Sequence, residues 1–156
     1  MTNQGDLDKI DRKLLQVLAR DGRVAWSELA EQIGLSLTPT LRRVRQLEEA
    51  GYIQGYVAQL DEGKLAGRVC VFVAVTLTSQ AEDVIARFEE QIALAPEVMS
   101  CFLMTGVADY NLRVVVPDLD TYHRFLTRTL TRIPGVAHIN SSFALRTVLM
   151  RPSPLL

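Results

Sequence analysis

A short phrase that returns 38 positions later constrains this chain more than any other feature of its sequence. Ala95-Pro96-Glu97-Val98 aligns with Ile133-Pro134-Gly135-Val136, and the same shift carries Val84, Phe88 and Ile92 onto Tyr122, Leu126 and Leu130. Each copy has the apolar period of a strand, then a helix, then a strand: 68–78, 81–95 and 98–105, followed by 109–116, 118–132 and 136–149. Two such units predict a ferredoxin-like βαββαβ domain with both helices on one face of the sheet.

That arrangement leaves the other sheet face uncovered, and the residues expected there are not polar. Along the first strand Val69, Val71, Val73, Val75 and Leu77 point one way, while Cys70, Phe72 and Ala74 point the other. A strand that is apolar on both faces needs cover on both. A second copy of the chain is the simplest cover, so a homodimer is expected.

The first sixty residues carry a different period. Leu7, Ile10, Leu14, Leu15 and Leu18 mark a first helix, with Asp6 or Asp8 as N-cap and Gly22 beyond its end. Trp26, Leu29, Ala30 and Ile33 share a face of a second, shorter helix that stops at Gly34. A third begins near Ser36, tolerates Pro39 in its first turn and ends at Gly51. From Tyr52 to Leu60 the chain reads as extended. The expected organisation is an α+β chain: a winged helix-turn-helix domain over 1–60, a linker over 61–67, the ferredoxin-like domain over 68–150, and an unstructured tail over 151–156.

The second and third helices carry the chemistry of DNA recognition. Ala30 lets two helices approach and Gly34 permits the positive φ of a tight corner. On the third helix Leu41, Val44 and Leu47 form the buried stripe, which leaves Thr38, Arg42, Arg45 and Gln46 opposite and Arg43 on the flank. Arginine pairs with the two acceptors of guanine and glutamine with adenine, the pattern of a major-groove helix. Ser36, Arg43 and the helix's first N–H groups suit phosphates.

Charge supports a local reading only. The chain has a net charge of −1, and residues 1–60 balance eight basic against eight acidic side chains. Yet Ser36 to Leu47 holds three arginines and no acid. Cys70 and Cys101 lie in apolar runs without a CxxC partner and are expected as buried free thiols. With His123 and His138 the only histidines, no metal-ligand spacing is present and no cofactor is expected. A polar start and the lack of a long apolar run lead to the expectation of a cytoplasmic, nucleoid-associated protein.

Taken together, the chain resembles the Lrp/AsnC (leucine-responsive and feast/famine) family of transcription regulators. The resemblance is carried by Leu7-Asp8-Lys9-Ile10-Asp11, Asp21-Gly22-Arg23, Glu28-Leu29-Ala30, Gly34-Leu35-Ser36 with Thr38-Pro39, and Arg43-Val44-Arg45-Gln46-Leu47-Glu48. It continues through Gly51 to Tyr56, Gly106-Val107-Ala108-Asp109-Tyr110, Val116-Pro117-Asp118 and Pro134-Gly135-Val136. It implies a dimer that assembles further, commonly to an octamer, and an amino acid or related metabolite as effector, bound between dimers. The loop from Gly106 to Asp109, with Tyr110, and the strand around Asn140 are implied to form that pocket. Within it, Gly106 permits close backbone approach, Asp109 suits an ammonium group, and Thr105, Ser141 and Ser142 offer hydroxyls. A Gly-x-x-Asp hairpin turn serves equally as a structural element.

An enzyme is not expected. No nucleophile elbow, phosphate loop or triad is visible, and Asp118 and Asp120 read as helix-starting acids. An architectural DNA-binding protein without effector response, and a metabolite sensor whose helical half binds protein, remain alternatives.

Overall fold

The computed structural model describes residues 7–154. The chain divides into two compact units. Among the described residues, one comprises 7–59 with 149–154 and the other 60–148.

The first unit is a three-helix cluster of α1 (Lys9–Arg20), α2 (Trp26–Ile33) and α3 (Leu37–Glu49). Asp8 caps α1 with a reciprocal box: its Oδ1 accepts the Asp11 N–H at 2.7 Å, and Asp11 Oδ2 accepts the Asp8 N–H at 3.4 Å. Asp6, the other candidate cap, lies outside the described residues. Leu14, Leu18, Leu29, Ile33, Val44 and Leu47 converge into one core. Two members of the expected apolar faces stay outside it: Leu41 is only half-buried, with Thr40 beside it wholly buried, and Trp26 is 40% exposed. Between α2 and α3, Gly34 takes φ +77° and the Leu35 N–H closes back on the Ala30 carbonyl at 2.9 Å. That is a left-handed helix stop, which lets α3 leave at a sharp corner.

In the second unit the repeat is realised as geometry. A short helix α4 (Glu62–Leu65) precedes β1 (Val69–Leu77), α5 (Glu82–Ala93), β2 (Val98–Leu103), β3 (Tyr110–Val116), α6 (Leu119–Arg128), a 3₁₀ turn (Leu130–Arg132) and β4 (Val136–Phe143). The strands form one antiparallel sheet in the order β2-β3-β1-β4. Both copies of the repeated phrase close the same turn. The Val98 N–H bonds the Ala95 carbonyl and the Val136 N–H bonds the Ile133 carbonyl, with Ala95 and Ile133 both buried. Asp118 caps α6 by accepting the Thr121 N–H at 2.7 Å, the helix-starting role expected for it.

One sheet face is packed against α5 and α6: Val71, Val73, Val75, Leu112 and Val114 are fully buried there with Phe88 and Phe125. Register places the other face in rows: Phe102, Asn111, Ala74 and Asn140 form one, and Ser100, Arg113, Phe72 and Ser142 the next. Phe72 is 43% exposed and Phe102 60%, so this open face is apolar as the β1 pattern predicts.

Four expectations need correction. Strand β4 ends at Phe143, since after the Ala144 N–H bonds the Cys70 carbonyl the chain leaves the ladder. The segment expected as a free linker contains α4, and Arg113 grips its Glu62 with two hydrogen bonds of 2.9 and 2.6 Å. Cys70 is half-buried and Cys101 is exposed, because Cys101 lies on the edge strand β2. The extended segment after Gly51 forms no strand.

Candidate nucleic-acid and effector sites

Helix α3 shows the two faces that its sequence requires. Val44 and Leu47 are buried, whereas Ser36, Thr38, Arg42, Arg45 and Gln46 are exposed and Pro39 is half-buried. Thr38, Arg42 and Arg45 follow one another at helical spacing on the outer face, and no ion pair among the described residues engages either arginine. Their guanidinium groups are therefore available to a ligand. Ser36 occupies the N-cap position, but its side chain makes no capping bond; instead the Thr40 hydroxyl, wholly buried, donates to the Ser36 carbonyl at 2.9 Å.

Arg43 stands apart from that row. Its Nη1 lies 2.8 Å from Asp8 Oδ2 and 2.7 Å from Asp11 Oδ1, so its charge is already matched by the capping box of α1. The hydrogen bond to Asp11, and then that to Asp8, raise the guanidinium's affinity for its proton. The Asp11 N–H, followed by Arg43, holds the Asp8 carboxyl below its usual range. Arg43, expected at a phosphate, thus ties α3 to α1 through Nη1.

Sequence reading missed Tyr56. Its hydroxyl donates to Glu48 of α3 at 3.0 Å, and its ring meets Trp26 of α2 edge-on with centroids 6.5 Å apart. Burial first, and then Glu48, push the phenol up to about 12, so it stays a donor. A lone tyrosine in an extended stretch gives no periodic signal, which is why it went unread. It holds the segment after α3 against the helices where no ladder does.

In the second unit the effector candidates are brought partly together. Thr105, Gly106 and Val107 form an exposed loop between β2 and β3, with Gly106 at φ +134° and open space around it. Asp109 closes the hairpin: its N–H donates to the Val75 carbonyl, and its carbonyl accepts the Met104 N–H. Its carboxylate accepts the Leu77 N–H at 2.7 Å and the Gln80 side chain at 2.8 Å. Those two donors, the backbone one foremost, keep the carboxyl ionised below its usual range. One lone pair on each oxygen is left for another cation or donor.

The remaining candidates separate by sheet face. Tyr110 is buried in the core, stacked on Phe88 at 4.5 Å, with its hydroxyl donating to Glu89 at 2.7 Å; burial and then Glu89 raise its pKa. Ser141 faces the helices and shares a hydrogen bond with the Tyr122 hydroxyl. Asn140 and Ser142 face the opposite, open side. Tyr110 and Ser141 are thus satisfied within the fold, because a one-residue step along a strand reverses the face.

A three-helix unit whose outer-face Arg42 and Arg45 have no ion pair among the described residues, joined to a βαββαβ unit carrying an open hairpin loop, defines a DNA-binding regulator with a ligand-binding domain. Comparison with known proteins places it. Residues 7–54 match the winged helix-turn-helix DNA-binding family model, and residues 70–154 match the Lrp/AsnC ligand binding domain. The chain belongs to the Lrp/AsnC family of transcription regulators. It is 62% identical over 149 residues to the Bkd operon transcriptional regulator of Pseudomonas aeruginosa, covering 96% of this chain and 97% of that one. To the leucine-responsive regulatory protein of Escherichia coli it is 45% identical over 131 residues, covering 84% and 80%. Among solved structures it superposes with a TM-score of 0.90 and 37% identity on a Neisseria meningitidis transcriptional regulator in complex with L-Met, over 95% and 96% of the two chains. No helix among the described residues is long and apolar enough to cross a membrane.

Proposed function

We propose that this chain senses an amino acid, or a closely related metabolite, at the loop from Thr105 to Asp109 and transmits its presence to DNA bound by α3. The observation that carries the reading is Asp109. It is an ionised carboxylate fixed by Leu77 and Gln80 at the base of an open, glycine-bearing loop, with acceptor capacity left for an ammonium group. The Neisseria relative's complex with L-Met, and the leucine response in the name of the Escherichia coli relative, support the ligand class. The name of the Pseudomonas relative supports an operon of the same kind as target.

On the DNA side, Arg42, Arg45 and Gln46 read base edges, Thr38 assists, and Ser36 with the first N–H groups of α3 meets phosphates. Arg43 positions the helix. Two copies join through the open sheet face around Phe72 and Ala74, and such dimers assemble further, to an octamer, in the cytoplasm on the nucleoid. Effector binding favours one assembly over another, and assemblies differ in which spaced half-sites they grip.

A thermal-shift screen of the purified chain against the twenty amino acids tests this. A ligand of the native state stabilises it by about 2.7 kcal/mol at a hundredfold excess over its dissociation constant. One clear hit that also changes DNA affinity is expected. Silence at millimolar concentrations, with DNA binding intact, overturns the amino-acid reading in favour of an architectural role or of an effector that is not an amino acid.

A further inference from the structure

We infer that the arginine row on α6 and the turn after it, Arg124, Arg128 and Arg132, is a second phosphate-binding surface with which the ligand-binding unit grips the DNA backbone. The sequence shows it first as an asymmetry. Residues 121–156 carry five arginines and no acidic side chain, whereas residues 1–120 carry 12 basic side chains against 18 acidic ones. A chain of net charge −1 therefore divides into a segment of −6 and a segment of +5.

The fold gathers three of those arginines. Arg124 and Arg128 stand four residues apart on α6, so they are neighbours on one face. Arg132 follows four residues later in the 3₁₀ turn, which keeps the path of the helix. There the Thr129 N–H bonds the Phe125 carbonyl at 3.0 Å, and the Thr131 hydroxyl donates to the Thr127 carbonyl at 3.3 Å. Tyr122, Phe125 and Leu130 are committed to the core, while all three arginines are exposed.

Little in the fold neutralises the row. Acids occur only ahead of it, at Asp118 and Asp120, and Arg124 donates to the Thr121 hydroxyl at 2.7 Å. Arg128 and Arg132 form no ion pair among the described residues. The helix and its turn pack against β3 and β4, and neither strand contains a carboxylate. Like charges four residues apart weaken a helix, so the row costs stability unless an anion meets it. The helix dipole accounts for Arg128 in the last turn but not for Arg132 beyond it.

Duplex DNA is the polyanion that fits. Every base in the segment is an arginine and none a lysine, and a guanidinium fork matches two phosphate oxygens at once. Single strands are gripped by stacking on aromatic rings, yet both aromatic rings of α6 other than His123, Tyr122 and Phe125, are buried. Backbone contacts carry no base preference, so the row adds affinity and leaves selection to α3. The inference rests on DNA binding by the chain and not on the effector reading.

The test follows binding of the full chain to a long duplex as a function of salt. Arg128→Ala/Arg132→Ala should lower the slope of log affinity against log salt by about two for each engaged protomer, since each phosphate contact contributes ~0.9. Circular dichroism, and preference for an operator over random duplex, should be unchanged. Arg42→Ala in the same assay should alter that preference instead, so the two surfaces fail separately. Direct contact is read from Arg132→Cys in a Cys70→Ser/Cys101→Ser chain: an aryl azide on the new thiol should join to the duplex on irradiation. Glu90→Cys, on the exposed side of α5, sets the background. A slope that the double variant leaves unchanged, or an adduct no stronger than that of Glu90→Cys, overturns the second surface.

Discussion

The Arg43 guanidinium reaches back across the sequence to Asp11, 2.7 Å from Nη1 to Oδ1, and joins the recognition helix to the first turn of α1. Asp8, at 2.8 Å, completes the clamp. One residue on the flank of α3 therefore ties the helix that presents Arg42 and Arg45 to α1.

Arg43→Ala should lower stability by about 1 kcal/mol, the upper end for a solvent-screened pair, as followed by urea unfolding. DNA affinity should fall equally for all sequences, and the salt dependence should keep its slope. A slope reduced by about one ion would instead make Arg43 a phosphate contact.

Arg42→Ala and Arg45→Ala should act differently. Neither side chain has an ion-pair partner among the described residues, so folding stability should stay within about 0.5 kcal/mol of the parent. Each should relax preference at one base position by about 1–3 kcal/mol in a competition assay over operator variants. A uniform loss at every position would reassign the residue to the phosphate backbone.

Much of this was legible in the letters. The repeat gave the βαββαβ order because both copies bury the same positions, Ala95 with Ile133 and Ile92 with Leu130. The stripe on α3 was readable because one helix face must be apolar. What escaped depends on distant partners. Arg43 looks like any basic flank residue until Asp8 and Asp11 are folded beside it. Glu62 looks like a linker acid until Arg113 of β3 meets it. Tyr110 and Ser141 follow polar motif logic along the chain, but strand alternation turns both toward the helices.

The Glu62–Arg113 pair makes the segment before β1 a fixed strap. Gly67 reinforces it: at φ +121° its α-carbon lies so close to the backbone of Val116 and Pro117 that a Cβ has no room. Gly67→Ala combines a left-handed strain of about 1–3 kcal/mol with that overlap, so unfolding of the ligand-binding unit should move to clearly lower urea. Glu62→Gln keeps the shape and loses the charge. It should lower the melting temperature modestly, by an amount that shrinks in acid as the parent's Glu62 protonates. Arg113 holds that carboxyl below its usual range, so the stabilisation is present above the ordinary glutamate pKa and is lost as pH falls through the lowered one.

Asp109 closes the hairpin and, in the function proposed above, meets an ammonium group; substitution separates the two roles. Asp109→Asn keeps an oxygen for the Leu77 N–H, so circular dichroism should be unchanged, but it removes the charge. The Leu77 N–H and then Gln80 depress the native carboxyl below 3.8, so its contribution to stability is complete above that pH and disappears as acidification passes the depressed value. The stability gap between parent and Asp109→Asn should therefore be constant near neutrality and close in strong acid. At neutral pH the variant should bind the operator like the parent while losing the thermal shift given by the effector. If Asp109→Asn still responds to the amino acid, the ammonium is held elsewhere and Asp109 serves the hairpin alone.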